Sequence, residues 1–565
     1  MHALRLSVLA LVVFTLAPAA EAQTTGSCAT GTAEAWLDAN DVRAALFTTG
    51  ALFYGNTTTN GNGYFVPADG TRSPIFSSAL WLGGQVGGEI RTASGRYADF
   101  DFWPGPLDPA TGLPPDPADC SAHDRIWTVS RADVATYYRT GIATADLAEW
   151  PAHLGAPVLD GDGIAGNYDL AAGDQPAIAG DQTAWWVMND AGNAHRTFAG
   201  DIESHPLGVE VRAEAFASDH PRLRHVTLYR FAITNRSAHA IDSLYVGVWA
   251  DFDLGNALDD FVGTDTTSHT AYAYNADNED EGATGYGVAP PALGVTVLAG
   301  GVGLPNGRDD DGDGTVDEPG ERLGLTAAPL IFKNGPPDYS EPITALHYYR
   351  RLQGRFGGGQ VMREFGWGSK GSPAERPTTF LHAGDPVTGA FWSERNTNRA
   401  GNINPPGDRR ALAASGPFRL SPGATDTVAV AVVTSFGADH LDSVVRLRVD
   451  ADMVRRVYAL GGFRPAAVAG RPVPPAPAPG VVRLGMPSPN PVAGTSTVRY
   501  EVPPGTPLRA ALVDVLGRTA AVLHDGPSSG AGVLTIRADD LAPGVYVLHV
   551  TVPAGEAVRR VVVAR

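Results

Sequence analysis

Three stretches of the central chain alternate between apolar and polar residues, which is the pattern of a half-buried β-strand. They are residues 223–234, 243–255 and 426–434. The second alternates until it reaches an acidic end, and the third follows the turn Ser421-Pro422-Gly423. The pattern predicts a body built mainly of strands.

One helix stands out in this region, between Asp439 and Leu460. Leu441, Val445, Met453 and Val457 recur there at helical spacing, and Gly461-Gly462 follows as a stop. We expect this helix to pack on the last sheet of the body.

The pattern changes after residue 463. Residues 464–482 are rich in Pro and Ala and predict an extended linker. Short alternating stretches then follow at the spacing of a β-sandwich, at 497–502, 508–515, 532–536, 545–552 and 558–563. We therefore predict a mainly β, multidomain β-sandwich architecture with an Ig-like domain at its C-terminal end. The predicted divisions are 1–22, 23–200, 201–463, 464–482 and 483–565.

The N-terminus has the features of a secretory signal peptide. A weakly basic start precedes a mostly apolar run from Leu6 to Leu16, and Ala20-Glu21-Ala22 is a small-x-small cleavage site. The alternative is a membrane anchor, but the run is shorter than the ~20 residues that span a bilayer. We expect an exported mature chain that begins at Gln23 and has no transmembrane span.

Composition limits the possible partners. The net charge is -19 among 565 residues, and Lys333 and Lys370 are the two lysines. This balance argues against nucleic-acid binding, which needs a basic face. It suits a cation-binding protein or a salty medium, and a GC-rich genome would also favour Arg over Lys. In an exported chain, Cys28 and Cys120 predict one disulfide, with two free thiols as the alternative.

The C-terminal region resembles a known family. It contains Pro489-Asn490-Pro491, then Asp514-Val515-Leu516-Gly517-Arg518, then Leu541-Ala542-Pro543-Gly544-Val545-Tyr546, and Arg565 ends the chain. These motifs, in this order, resemble the type A C-terminal sorting domain of the type IX secretion system of Bacteroidetes. The resemblance covers residues 483–565. It implies passage through the outer membrane by the type IX machinery, removal of this domain and usually attachment to the cell surface.

The central region is also similar to large exported proteins of the same bacteria. The similar segments include ALWLGGQVGGEIRTA, GDQTAWWVMNDAGNAH and VGVWADFDLGNALDDFVGTD. That family has no assigned activity, so the resemblance implies location and architecture and leaves the chemistry open.

An acidic loop within 308–318 predicts a calcium site. Asp309, Asp311 and Asp313 occupy positions 1, 3 and 5 of an EF-hand-like loop, Gly314 position 6, Thr315 position 7 and Asp317 position 9. Position 12 is Gly320 instead of an acid, and Glu318 or Glu321 is a possible source of the missing carboxylate. The alternative is a solvated acidic turn.

Two further acidic clusters are weaker candidates for metal binding. One combines Asp160 and Asp162 with Asp169, and a plain Gly/Asp turn is its alternative. The other follows the strand end at Asp251 and includes Asp253, Asp259, Asp260 and Asp265. Alternate residues of an extended chain face the same way, so Asp251 and Asp253 are expected to share an ion, with a catalytic carboxylate pair as the alternative.

No pattern of catalytic residues stands out. His195, His205, His220 and His225 lie near Glu203 and Glu210, but their spacing fits no familiar ligand set. Trp185-Trp186 is either a sugar-stacking platform or a pair of buried aromatics. The GxSxG string at 526–530 lies between short strands, where a turn is expected instead of a nucleophile elbow.

The sequence thus favours a calcium-stabilised, non-catalytic surface or secreted protein. Its expected role is adhesion, binding of a glycan or matrix ligand, or envelope structure. The rival hypothesis is a secreted hydrolase acting on polysaccharide or protein. A cleft that gathers His195 or His225 with Asp251, Asp253 or Asp260 would favour the rival, and a flat aromatic patch around Trp185 would favour binding.

Overall fold

The computed structural model describes residues 25–54, 62–97, 99–196, 204–305, 307–310, 314–333, 338–368, 375–470, 482–514, 517–553 and 555–564. The predicted signal peptide, Asp311, Asp313, Glu203, Arg565 and linker residues 471–481 lie outside these ranges. The described parts of Met1–Ala135 and Ala143–Ala469 form one compact unit, which we call the body. Those of Thr136–Ile142 and Gly470–Arg565 form a second unit.

Strands dominate the described chain, which confirms the predicted mainly β class. The body contributes twenty-four of them among the described residues. In chain order they are β1 (Glu34–Leu37), β2 (Arg43–Phe47), β3 (Ala51–Leu52), β4 (Tyr64–Phe65), β5 (Ser77–Val86), β6 (Glu89–Ala93), β7 (Gly95–Arg96), β8 (Asp99–Phe100), β9 (Trp103–Pro104), β10 (Trp127–Ser130), β11 (Val158–Leu159), β12 (Gln175–Pro176), β13 (Gln182–Asn189), β14 (Val209–Ala217), β15 (Val226–Asn235), β16 (Ile241–Asp251), β17 (Asp260–Asp265), β18 (Thr270–Asn275), β19 (Glu279–Asp280), β20 (Gly287–Val288), β21 (Ala292–Ala299), β22 (Leu330–Phe332), β23 (Arg409–Leu420) and β24 (Thr425–Ser435).

Two nine-stranded antiparallel sheets form the body. The first has the order β1-β2-β3-β5-β16-β23-β22, with β4 paired to β2 and β6 to β5. The second has the order β10-β13-β14-β15-β24-β21-β18-β17, with β9 paired to β13. Both sheets combine strands from before and after residue 200, so the predicted division between 23–200 and 201–463 is not a boundary of the fold.

One large apolar core lies between the two sheets. Leu80 of β5 and Val248 of β16 contribute to it from the first sheet, and Val211 of β14 and Phe231 of β15 from the second. Because side chains alternate along a strand, each of these strands has a second face that points away from this core and is covered separately.

The described chain has five α-helices, which are α1 (Pro117–Ala122), α2 (Arg131–Thr140), α3 (Ala145–Ala148), α4 (Ala345–Leu352) and α5 (His440–Ala459). Helices α4 and α5 cover outer faces of the two sheets. Helix α4 packs Tyr348 and Leu352 on Trp81 and Trp249 of the first sheet. Helix α5 covers the second sheet, so the body is layered helix, sheet, sheet, helix.

Helix α5 confirms the predicted helix, with a change of face. Asp439 caps its start by accepting hydrogen bonds from the amides of Leu441 and Asp442, and Gly461 adopts a left-handed φ of 72° after its end. Its buried row is Ser443, Val444, Leu447, Ala451 and Val454. The predicted Val445 is instead 41% exposed.

One disulfide and two hydrogen bonds tie peripheral segments to the body. Cys28 and Cys120 form the predicted disulfide, with their Cα atoms 5.8 Å apart. Val468 N donates to the side-chain oxygen of Gln175 over 2.8 Å, and Arg131 donates to the Ala466 carbonyl over 2.9 Å. The first residues of the predicted linker therefore belong to the body.

The C-terminal residues form a seven-stranded antiparallel sandwich, which we call the C-terminal sandwich. Its strands are β25 (Arg483–Leu484), β26 (Thr495–Glu501), β27 (Pro507–Asp514), β28 (Thr519–Pro527), β29 (Ala531–Arg537), β30 (Gly544–Val552) and β31 (Gly555–Val563). The sheets β25-β26-β29 and β28-β27-β30-β31 enclose their own core, which includes Val498, Leu512, Leu548 and Val561.

Candidate metal centres

The loop at 308–318 is described in part. Asp311 and Asp313 lie outside the described residues, while Asp309, Thr315 and Asp317 lie within them. Asp309 Oδ2 accepts a hydrogen bond from Gly314 N, and the Asp317 carboxylate accepts one from Gly307 N, each over 3.0 Å. The loop is therefore closed by its own carboxylates.

A small cavity lies beside this loop. Its volume is about 20 Å³, and Asp310, Asp317, Glu318 and Glu321 line it together with Gly303, Leu304 and Pro305. A cavity of this size accommodates about one water or ion. Glu318 and Glu321, which the sequence offered as substitutes for the missing acid, thus face the same space as Asp317.

The loop after β11 brings three carboxylates together. One oxygen from each of Asp160, Asp162 and Asp174 lies within 4.8 Å of the others. Asp169, the predicted third member, is not in this group. Its Oδ1 instead accepts hydrogen bonds from the amides of Ala171 and Ala172.

The carboxylates of this loop also bond to nearby amides. Asp160 Oδ1 accepts from Gly163 N over 2.6 Å, and Asp162 Oδ1 from Ile164 N over 2.7 Å. Asp174 is buried and accepts from Gly161 N over 2.9 Å. The side-chain amide of Asn167, which donates to Asp162 Oδ2 over 2.9 Å, and the amide of Ile164 lower the pKa of Asp162. The loop has the geometry of a turn as well as the acids of a cation site.

A second group of three carboxylates lies at the end of β16. It consists of Asp251, Asp253 and Asp408, again with one oxygen from each within 4.8 Å of the others. Antiparallel pairing of β16 with β23 sets Asp251 opposite Arg410, and this register brings Asp408 to the same edge. Asp253 follows in a left-handed conformation with φ of 36°.

Basic and phenolic groups surround these acids. Arg410 contacts Asp251 over 3.0 Å and Glu341 over 2.8 Å, and it also contacts Asp408. The Tyr97 hydroxyl donates to Asp251 Oδ2 over 2.7 Å. Lys333 contacts Asp408.

Burial makes the charged forms of these acids costly. It raises the pKa of Asp251 to about 7, with the Asp253 charge adding to the effect and Arg410 opposing it. Burial and the charge of Asp408 raise the pKa of Asp253 to about 6. Strongly perturbed carboxylates in a cluster are typical of functional sites, although structural ion pairs share this property.

The remaining predicted acids do not join this group. Asp260 is buried, and its Oδ2 accepts from Leu254 N over 2.9 Å. Asp259 accepts from the Asn256 side chain over 3.2 Å. Asp265 lies at the opposite end of β17 and accepts from Ser268 Oγ over 2.8 Å.

The four candidate histidines have separate partners. His195 is buried against the carbonyls of Thr92 and Asp190, and His205 contacts Glu89 over 2.7 Å. His225 lies 3.6 Å from Asp41, and His220 accepts from Arg222 N. Among the described residues, the partners of these rings do not include Asp251, Asp253 or Asp260, so the gathering that would favour a hydrolase is not found there.

Two other sequence features have structural roles. Trp185 and Trp186 are 2% and 1% exposed, and Trp185 packs beside Trp127 with ring centroids 6.1 Å apart. The interpretation of Trp185-Trp186 as a sugar-stacking platform is therefore wrong, and the two residues are a pair of buried aromatics. Ser528 of the GxSxG string is 4% exposed, and the string spans the end of β28 and the turn before β29.

The motif residues of the C-terminal sandwich hold its turns. Asn490 donates to the Arg560 carbonyl over 3.0 Å and accepts from Val562 N over 2.8 Å. Asp514 accepts from Arg518 N over 3.0 Å, and Tyr546 donates to the Ala542 carbonyl over 2.8 Å. Pro489 and Pro491 flank Asn490, Gly517 takes a φ of 79°, and Gly544 begins β30.

Sequence reasoning missed Asp174 and Asp408. Asp174 lies shortly after the predicted loop in the sequence. It directly precedes β12, and this position was the signal that could have added it to the candidate ligands. Asp408 comes from a distant part of the chain, and pairing of β16 with β23 is what places it.

Within the described part of the chain, every helix is too short or too polar to cross a bilayer. No family model and no curated protein matches the chain.

Solved structures give weak likenesses. A polysaccharide lyase is 10% identical with a TM-score of 0.17, over 63% of this chain and 34% of that one. A biofilm-associated protein BSP domain is 10% identical with a TM-score of 0.11, over 59% and 50%. Dimeric latent PorU from Porphyromonas gingivalis is 11% identical with a TM-score of 0.13, over 68% and 32%. The chain thus spans between about a third and a half of each of these structures, and likenesses at this level carry no argument about function.

Proposed function

We propose that this chain is an exported protein, displayed on the cell surface or secreted, whose body is stabilised by calcium. In this proposal the C-terminal sandwich is the handle by which type IX secretion machinery moves the chain across the outer membrane. The observation that carries the proposal is that residues 482–564 enclose a core of their own, from Val482 to Val563. A detachable handle needs such a core, because the body must stay folded after the handle is removed.

The motif residues support this assignment. Asn490, Asp514 and Tyr546 each bond to the backbone of their own domain. The motif residues thus help to determine the fold of this sandwich. A domain that secretion machinery recognises requires such a defined fold.

For the body we propose a binding or envelope-structural role. Support comes from the isolation of His195 and His225 from the acids at 251, 253 and 260. Eight of the ten tryptophans are also buried, among them Trp81, Trp186, Trp249 and Trp392, and the other two are half-buried. Ligand contacts are therefore expected from the loops and not from an aromatic platform.

Deletion of residues 483–565 tests the export proposal. The truncated chain should stay in the periplasm, where it should resist protease added to intact cells. A full-length chain with Asp525→Asn, on an exposed pair with Arg509, is the control and should reach the surface. Arrival of the truncated chain at the surface would contradict the proposal.

An array of glycans and matrix proteins tests the binding role. The fragment of residues 23–469 is the appropriate probe, since the contacts of Ala466 and Val468 place these residues in the body. Binding that requires calcium is the expected result. Cleavage of an arrayed polysaccharide or protein by the fragment would favour the hydrolase instead.

A further inference from the structure

Asp251, Asp253 and Asp408 belong to two segments of the first sheet. Asp251 is the last residue of β16, Asp253 lies two residues beyond it, and Asp408 directly precedes β23. One carboxylate oxygen of each lies within 4.8 Å of the other two. Side chains of like charge converge here because two neighbouring strands meet at this edge.

A buried oxygen in this group lacks a protein partner. Asp251 is 1% exposed, and its Oδ2 accepts a hydrogen bond from Tyr97 and forms an ion pair with Arg410. Its Oδ1 is buried and has no hydrogen-bond partner among the described residues, and the same holds for Asp253 Oδ1. Leaving such an oxygen unsatisfied costs free energy, so nearly all buried polar atoms have a partner. These oxygens therefore point to a ligand.

The balance of local charges favours binding of a cation. Arg410 contacts both Asp251 and Asp408, and Lys333 contacts Asp408. Asp253 has no ion pair among the described residues. The nearby Glu341 is paired with Arg96 as well as with Arg410. Three carboxylates thus face two basic groups, and the unbalanced charge belongs to Asp253.

We propose that Asp251, Asp253 and Asp408 bind one hard divalent cation, Ca²⁺ by preference, which joins the end of β16 to the start of β23. This inference rests on the proposed calcium-stabilised body and adds a site separate from the 308–318 loop. All three groups offer oxygen, the ligand that Ca²⁺ and Mg²⁺ take in proteins.

The ligand set favours calcium over magnesium. Magnesium demands a near-octahedral shell and keeps several waters, so proteins usually hold it by one or two carboxylates. Calcium takes six to eight oxygen ligands in a flexible shell. Three protein carboxylates converge at this site, which is the arrangement that calcium prefers.

Lys333 competes with the cation. Its ammonium contacts Asp408 while its side chain is 52% exposed, so it can turn into solvent at little cost. Arg410 cannot do this, because its side chain is 4% exposed and bonded on several sides. Removal of the Lys333 charge should therefore tighten cation binding.

Terbium luminescence of a chain of residues 23–565 tests the proposal. Tb³⁺ substitutes for Ca²⁺ and emits when a nearby aromatic ring is excited, and Tyr97 contacts this site. Added Ca²⁺ should displace Tb³⁺ and so reduce the aromatic-sensitised emission, and added Mg²⁺ should reduce it much less.

Asp253→Asn is the main variant, since Asp253 has no ion pair to lose. We expect it to fold, to weaken this Tb³⁺ binding by at least about tenfold, as loss of even an outer partner of a metal does, and to lose part of the calcium-dependent rise in melting temperature. Lys333→Gln should bind Tb³⁺ more tightly. Asp160→Asn with Asp162→Asn is the matched control and should leave the Tyr97-dependent emission unchanged.

The outcomes separate this site from the proposed function. The proposed site is contradicted if Asp253→Asn keeps the wild-type emission and calcium response. It is also contradicted if Lys333→Gln leaves the affinity for Tb³⁺ unchanged. Calcium protection of the 308–318 loop in the same Asp253→Asn chain would then show that the calcium-stabilised body survives without it.

Discussion

The Nδ1 atom of His195 lies 2.8 Å from the carbonyl oxygen of Thr92, while its Nε2 faces the carbonyl oxygen of Asp190. A carbonyl can only accept, so both ring nitrogens must donate and the buried imidazole must carry two protons. Burial alone would lower the pKa of His195, but the carboxylates of Asp101 and Asp190 and the two carbonyls outweigh it and raise the pKa.

The free energy of unfolding should therefore fall on the alkaline side. The folded state holds the His195 proton more tightly than the unfolded state, whose pKa is about 6.5. The stabilisation is complete below that value and is lost as the pH rises through the higher folded pKa. Burial also raises the pKa of Asp101 to about 6, which adds a loss of the same sign at lower pH.

Urea unfolding at a series of pH values checks this prediction. His195→Gln should be less stable and should lose the part of the decline that lies above about pH 6.5. His205→Gln, on a ring that is 52% exposed, is the control and should retain it. A decline of equal size in the His195 variant would mean that the ring is neutral.

Reduction of the Cys28–Cys120 disulfide should destabilise the body. The bond closes a loop with a sequence separation of 92 residues. The chain-entropy relation assigns a loop of this length about 4–5 kcal/mol at 25 °C, with less expected in practice. The double variant Cys28→Ser, Cys120→Ser should show a lower urea midpoint in the absence of reductant. An unchanged midpoint would mean that the N-terminal segment contributes nothing to the cooperative unit.

Calcium should protect the 308–318 loop from protease. Ligand that binds the native state alone stabilises it by about 2.7 kcal/mol at 100-fold excess over the dissociation constant. In a chain of this length the melting temperature shifts by only a few degrees, so the cleavage rate at the loop is the sharper measurement.

The double variant Asp311→Ala, Asp313→Ala should lose the calcium protection of this loop. Asp160→Ala with Asp162→Ala should leave it intact, and magnesium should protect poorly because it keeps its waters. Equal cleavage rates with calcium and with chelator in the wild type would identify the loop as a solvated acidic turn.

Asn490→Ala should loosen the last strand of the C-terminal sandwich. The side chain makes two hydrogen bonds to the backbone of β31, and each is worth about 0.5–1.5 kcal/mol. Hydrogen exchange of the Val562 amide should accelerate accordingly. Met486→Ala, at a side chain that is 71% exposed, should leave the exchange rate unchanged.

Strands were the most predictable part of the fold. The stretch 243–255 became β16 (Ile241–Asp251), and 426–434 became β24 (Thr425–Ser435). Alternation is reliable where one face of a strand meets the core. It is not informative for β13, where both faces are covered and all eight residues are buried, so Trp185 and Trp186 gave no sign of their environment.

The helix face and the metal centres were harder to predict. Helix α5 carries apolar residues in two adjacent rows, and the sheet beneath decides that Val444 is buried and Val445 is not. Acidic residues close in sequence were found easily. Which carboxylates meet depends on strand register, and nothing local to Asp251 indicates that Asp408 lies beside it.

The strand order has a consequence for synthesis and for the proposed export. Strand β24 lies in the interior of the second sheet between β15 and β21, and β23 lies between β16 and β22 in the first. Both strands come from the last part of the body to leave the ribosome. The first sheet cannot close until residue 420 has emerged, and the second cannot close until residue 435 has emerged, so the body cannot complete its fold until nearly all of it has been made. The export that we propose would gain from this delay, because the chain remains threadable until almost the whole body is available.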